Sequence, residues 1–159
     1  MYTSQGCFGI PRSFGQSEVR LDTANGRGST NTCIRRYTNT QVNTGGAITY
    51  RDSSTLGSSF TVNVAGLYAI FVTDSNPSSY VMTGISRNSV NLTSSILLLP
   101  AAERLAVAEI NLATGSFNEA VAQASWLGYL AAGDVIRPHG NTGDPITAGL
   151  SMFQMVKIG

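Results

Sequence analysis

Apolar and polar residues alternate along much of this chain with a period of two. Phe60, Val62 and Val64 are separated by Thr61 and Asn63, which puts the three apolar side chains on one face of an extended segment. Ala65-Gly66 then turns the chain into Leu67-Tyr68-Ala69-Ile70-Phe71-Val72, a nearly continuous apolar run that implies a strand covered on both sides. Asp74-Ser75-Asn76-Pro77-Ser78-Ser79 closes it. The same glycine-then-apolar grammar recurs in Leu130-Ala131-Ala132-Gly133-Asp134-Val135-Ile136, where the glycine lets the backbone turn before a β-branched run.

Further short strands are predicted around these two. Cys33-Ile34-Arg35-Arg36-Tyr37 and Ala47-Ile48-Thr49-Tyr50 are parted by the turn cluster Asn43-Thr44-Gly45-Gly46. Residues 80–86 lead into the turn Arg87-Asn88-Ser89, and residues 120–130 carry Val121, Ala124, Trp126 and Leu130. A strand at 134–137 is ended by Pro138, and the last, at 150–158, has Met152, Gln154, Val156 and Ile158 on one face and Phe153 and Met155 on the other. Apolar residues on both faces of that strand imply that one face meets its own core and the other a neighbouring subunit. Between residues 94 and 112 the pattern changes: Ile96-Leu97-Leu98-Leu99-Pro100 reads as a short strand, and the helix formers of residues 101–110 as an irregular or one-to-two-turn helical insertion.

Eight or more strands separated by turns, with hardly any helix, make an all-β, two-sheet jelly-roll sandwich the expected fold. Residues 1–33 have few long apolar side chains and no periodicity, so residues 1–45 are expected to be an extended arm holding the first short strand, and residues 46–159 the jelly-roll. The 159 residues suffice for one core, which buries about two-thirds of the unfolded surface. Only 12% of residues are charged and the net charge is +1, which recruits neither nucleic acid nor an acidic membrane. The arm concentrates positive charge at Arg12, Arg20, Arg27, Arg35 and Arg36, whose guanidinium forks suit carboxylates on a protein partner, although for any single one ordinary solvation on a loop is the stronger reading. No secretory signal or bilayer-length apolar run is visible. Asn91-Leu92-Thr93 fits the glycosylation pattern but carries meaning only in a secreted chain. Cys7 and Cys33 could pair, or remain free thiols in a reducing cytoplasm.

Gly66-Leu67-Tyr68 leading a buried strand, Ser86-Arg87-Asn88-Ser89 two strands later, Leu130 to Ile136 as quoted above, and a terminal apolar strand around Phe153 form an ordered set. Over residues 46–159 this set resembles the C1q and tumour-necrosis-factor jelly-roll. The resemblance implies ten strands and a homotrimer packed through apolar side chains near the threefold axis, with Tyr68, Phe153 and Met155 as interface candidates unless they belong to the protomer's own core. No collagenous stalk or membrane anchor accompanies it. The entry Gly26-Arg27-Gly28-Ser29-Thr30-Asn31-Thr32 before Ile34-Arg35-Arg36-Tyr37 looks instead like the small jelly-roll virion proteins of tailed bacteriophages.

Candidate chemistry is sparse. His139, the sole histidine, is expected in a loop or at a strand end as a polar surface residue, with no nucleophile-elbow pattern to complete a triad. One histidine and two distant cysteines make no zinc site. Asp134 is expected to accept hydrogen bonds from turn N–H groups. Asp74, Asp134 and Asp144 could hold calcium only if their loops share one end of the sandwich. Residues 140–143 form a glycine-rich turn with no following Lys-Ser/Thr, so no phosphate loop is implied. The expectation is therefore a non-enzymatic protein without metal or cofactor, made in a bacterial host's cytoplasm and located in the virion. Its leading role is a homotrimeric capsid decoration or cement protein that contacts the major capsid or another virion protein; no coiled-coil or β-helical shaft precedes it, as a fibre tip would need. The alternative is a receptor- or glycan-binding knob of a head or tail fibre, with Tyr80 and Trp126 as stacking aromatics.

Overall fold

The computed structural model describes residues 16–77, 80–111, 119–142 and 147–159. Among the described residues, ten strands form two five-stranded antiparallel sheets. They are β1 (Glu18–Arg27), β2 (Arg35–Thr44), β3 (Ile48–Arg51), β4 (Ser59–Val62), β5 (Gly66–Asn76), β6 (Tyr80–Arg87), β7 (Arg104–Asn111), β8 (Ala120–Leu130), β9 (Val135–Gly140) and β10 (Met152–Lys157). The first sheet runs β2-β1-β10-β5-β8 and the second β3-β4-β9-β6-β7, so strands distant in sequence lie side by side as a jelly-roll requires. The expected all-β, two-sheet architecture is the observed one. Among the described residues no helix is long and apolar enough to cross a membrane.

One core fills the space between the sheets. Val19 and Leu21 of β1, Phe60 and Val62 of β4, Tyr68, Ile70 and Val72 of β5, and Phe153 and Met155 of β10 all point into it. Phe60 stacks on Phe153 with centroids 4.0 Å apart and planes 20° from parallel, and on Tyr50 at 5.1 Å and 28°.

Two expected segments differ. Residues 18–27 and 35–44 are β1 and β2, paired with each other, and β1 pairs with β10; the jelly-roll thus begins well before residue 46, and the expected arm survives nowhere in the described part of residues 1–45. The alternation of β1 is broken by register shifts at Arg20/Leu21 and Ala24/Arg27, and Thr23 takes a φ of 63°, so strand periodicity is masked. Arg12 and Cys7 lie outside the described residues.

The second difference reverses residues 96–111. Ile96–Leu98 is a short 3-10 turn, and the expected helical insertion is β7. Ala106, Ala108 and Ile110 share the inner face of β7 with Ile85, Thr83 and Val81 of β6. Small inner residues and Glu109 on the outer face imitate helix composition, and pairing with β6 decides the outcome.

Gly84 makes room for that turn. A Cβ there would lie 2.4 Å from the Ala106 carbonyl oxygen and 2.5 Å from Ile96 Cδ1. Gly84→Ala is expected to cost about 1–3 kcal/mol through this overpacking, read as a lowered midpoint in urea unfolding.

Candidate assembly interface

Directly opposed residues in an antiparallel pair share a face, so the register sorts the first sheet into an inner and an outer side. Tyr68, Ile70 and Val72 oppose Gly128, Trp126 and Ala124 and face the core. Leu67, Ala69, Phe71 and Ser75 oppose Tyr129, Leu127, Ser125 and Val121 on the outside. β10 continues the outer set, since Val156 pairs with Ala69, Gln154 with Phe71 and Met152 with Thr73. The outer half formed by β5, β8 and β10 is therefore largely apolar. Leu127 is 67% exposed, Tyr129 63% and Leu67 47%, values that belong to a surface awaiting cover rather than to a strand with a satisfied second face. The other half is polar: Glu18, Arg20 and Asp22 of β1 share this face, and Gln154 Nε2 donates to Glu18 Oε1 at 2.8 Å.

The expected interface residues occupy the opposite parity. Tyr68, Phe153 and Met155 have no exposed surface in the single chain and lie within its core, so none of them can touch a neighbour. The Tyr68 hydroxyl donates to the Val64 carbonyl, and burial raises its pKa above the ordinary tyrosine value. Leu67, Phe71, Leu127 and Tyr129 are the residues that sequence reading passed over. Their signal was the unbroken apolar run of β5, which announces cover on both sides without saying which parity faces the partner.

The arginines also divide. Arg35 is fully buried and its Nε donates to Asp74, whose second oxygen accepts from Ser151 Oγ at 3.1 Å. It is an internal structural cation, not a contact for another protein. Arg36 is engaged bidentately by Asp52, with Nε to Oδ1 at 3.0 Å and Nη2 to Oδ2 at 2.7 Å; this hydrogen bonding raises its pKa. Arg27 is half-buried opposite Arg35 in the β1–β2 register. Arg20 is exposed on the polar half of the outer face, the one expected contact arginine in the described residues that faces solvent there.

The remaining candidates have structural posts. Asp134 Oδ2 accepts from the Ala131 N–H at 2.9 Å, as expected of a turn aspartate, and Oδ1 accepts from Asn88 Nδ2 at 2.7 Å, which ties two turns together. Asp74 and Asp134 lie at opposite ends of the sandwich, since Gly66 opposes Leu130 and Asp74 opposes Ala122; eight residues of strand separate them by about 25 Å, too far for one calcium ion. Trp126 packs inward against the core, over Gly128, whose added Cβ would lie 2.5 Å from the indole. Tyr80 packs against Met82, Ile96 and Leu99. Cys33 is a buried free thiol, its sulfur 2.9 Å from Thr142 Oγ1.

His139 departs most from expectation. It sits in β9, fully buried, with Nε2 2.8 Å from the Ser94 carbonyl oxygen and Nδ1 3.1 Å from Ser86 Oγ. Burial lowers its pKa from the ordinary 6.5, opposed by the bond to Ser94 and reinforced by Arg137. Among the described residues no three His, Cys, Asp or Glu side chains cluster as a metal site would require.

Comparison with known proteins bears on the fold alone. No protein-family model and no curated protein matches the chain. Among solved structures it is similar to murine APRIL at pH 5.0, with a TM-score of 0.66 at 12% identity over 90% of this chain and 99% of that one. It is likewise similar to Eiger TNF from S. frugiperda, with a TM-score of 0.62 at 13% identity over 91% of this chain and 94% of that one. The architecture is thus a tumour-necrosis-factor-like jelly-roll, reached by a sequence that shares little with either neighbour.

Proposed function

We propose that this chain is a non-enzymatic structural protein whose copies associate as a trimer and which decorates or cements a bacteriophage capsid. The observation that carries the reading is the apolar half of the first sheet's outer face, where Leu67 of β5 and Leu127 and Tyr129 of β8 are exposed and Phe71 of β5 and Met152 of β10 are partly exposed beside them. A second copy is the occupant that suits it. The patch is uncharged while the adjoining β1 face carries Glu18, Arg20 and Asp22, giving an apolar centre beside a polar rim as association surfaces have. Low charge density and a net charge of +1 leave little repulsion between three copies brought together. Three linked protomers would grip a lattice by avidity, each contact rebinding before the others release.

The glycan-knob alternative has less support. Trp126 faces the core and Tyr80 is packed beneath the β6–β7 connection, so neither offers an open ring to a sugar. The test is add-back: purified protein is mixed with phage heads assembled without it, and genome release is followed on heating. Binding to the heads and release at a higher temperature are expected. No binding to heads, together with adsorption to host cells or to a glycan array, contradicts the assignment.

A further inference from the structure

We propose that His139 is a proton-operated fastening for residues 88–103, the strap that connects β6 to β7 across the outer face of the second sheet. The strap lies on this face by both apolar and polar contacts. Ile96 and Leu99 are buried against Met82, with Tyr80 and Val107 packed beside them. Arg104 Nη1 donates to the Leu97 carbonyl at 2.8 Å, Arg87 Nη2 to Ala102 at 3.2 Å, and the Cys33 N–H to Leu92 at 3.2 Å. In the middle, His139 reaches up from β9 to the Ser94 carbonyl. A carbonyl only accepts, so Nε2 carries the hydrogen and Nδ1 of the neutral ring is free to accept from Ser86 Oγ; the neutral imidazole satisfies both partners.

A second proton disturbs this arrangement. Nδ1 would then donate, so the Ser86 hydroxyl must turn away, and a positive charge would appear in a buried position. The charged groups that act on it are one of each sign, and the cation has the larger effect. Arg137 shares β9 and its face, Arg104 and Arg87 stand on β7 and β6 with their guanidinium groups on the Leu97 and Ala102 carbonyls, and Glu103 is the acid at hand. The strap residues 88–102 contain no ionisable side chain, and Cys33, on the approach to β2, holds its sulfur against Thr142. Glu103, at the β7 end of the strap, is therefore its one carboxylate, and its attraction for the new charge is smaller than the opposing effects of burial and Arg137. With the native value below the ordinary 6.5, the closed strap binds fewer protons than the open one between those two values. Closure is fully stable above about 6.5, weakens as the pH falls below it, and weakens no further below the depressed native value. Opening would expose Ile96 and Leu99 beside Leu97, Leu98 and Val90, which already face solvent.

The test is amide hydrogen exchange on the full chain from about pH 7.5 down to about pH 4, corrected for the intrinsic pH dependence of exchange, with the imidazole followed by NMR. The chain has one histidine, so its ring signal needs no assignment. Protection of residues 90–99 is expected to fall about tenfold in step with the ring's titration, while β5 stays protected. His139→Gln keeps a donor for Ser94 without a titratable ring and is expected to hold strap protection constant across the range. Constant protection in the wild-type chain over the whole range, whether or not the ring titrates, overturns the proposal, and that comparison stands even if the variant does not fold.

Discussion

Leu127→Asp is expected to convert the proposed trimer to monomer, read by light scattering as one copy of the 16.7 kDa chain where the wild type gives three. Leu127 is two-thirds exposed in the single chain, so the protomer has almost nothing at stake in it, whereas full burial of a leucine contributes about 1.5–3 kcal/mol. A trimer buries three of them. The substitution removes that contribution at every interface and adds the cost of desolvating a carboxylate, several kcal/mol per site. The affinity loss is therefore expected to exceed three orders of magnitude, while the thermal midpoint of the isolated protomer shifts little, as is usual for a surface change. Phe153→Asp, by contrast, would unfold the chain, because Phe153 is in the core. A Leu127→Asp chain that remains trimeric places the contact elsewhere.

Asp74→Ala is expected to cost about 3–5 kcal/mol of folding stability, a large share of the roughly 5–15 kcal/mol a domain has. Arg35 is fully buried, its Nε is bound to Asp74, and its Nη1 and Nη2 have no hydrogen-bond partner among the described residues. Without the carboxylate, the guanidinium is an uncompensated charge between the sheets. Ser151 Oγ would also lose its bond to Asp74. The loss shows as a lower urea midpoint with an unchanged slope. The double variant Arg35→Met/Asp74→Leu removes both charges and is expected to be more stable than Asp74→Ala alone, since replacing a buried pair with apolar groups is often neutral. A cost for Asp74→Ala below about 1 kcal/mol would show that water reaches the pair and solvates Arg35.

Much of the fold was legible because strands buried on one or both faces write themselves in period two. β4, β5, β8 and β10 fall where alternation or an unbroken apolar run placed them. β1 was not legible, and of β2 only the start at residues 35–37 was. β1 is interrupted by two register shifts, and β2 is an edge strand in which Tyr37 and Arg35 turn inward while the residues from Thr38 to Gln41 are exposed. An inward arginine reads as a surface residue until its partner, Asp74, is brought across from β5 by the sheet order. His139 lies near the end of β9, one of the two expected positions, but is buried where a polar surface residue was expected, because Pro138 is accommodated inside β9 opposite Ile85 and the strand continues past it to Gly140.

The candidate interface was legible in kind but not in parity. Apolar residues on both faces of β5 and β10 announce a second contact surface, and in a strand one residue of shift exchanges the faces. Of the two readings open for Tyr68, Phe153 and Met155, the core is the one that holds, and Leu67, Phe71, Met152 and Val156 have the outward parity instead. Aromatic size does not decide the matter, because a large ring fills a core as well as an interface. Pairing does decide it: once Phe153 is opposite Val72 and stacked on Phe60, its face is settled and every alternate residue follows.

The central claim is that the apolar half of the first sheet is covered by other copies of the chain. Sedimentation equilibrium of the purified wild-type protein over a range of concentrations tests it most directly. The account predicts a single species of three times the 16.7 kDa chain mass down to micromolar protein. A species of one chain mass throughout that range would contradict it.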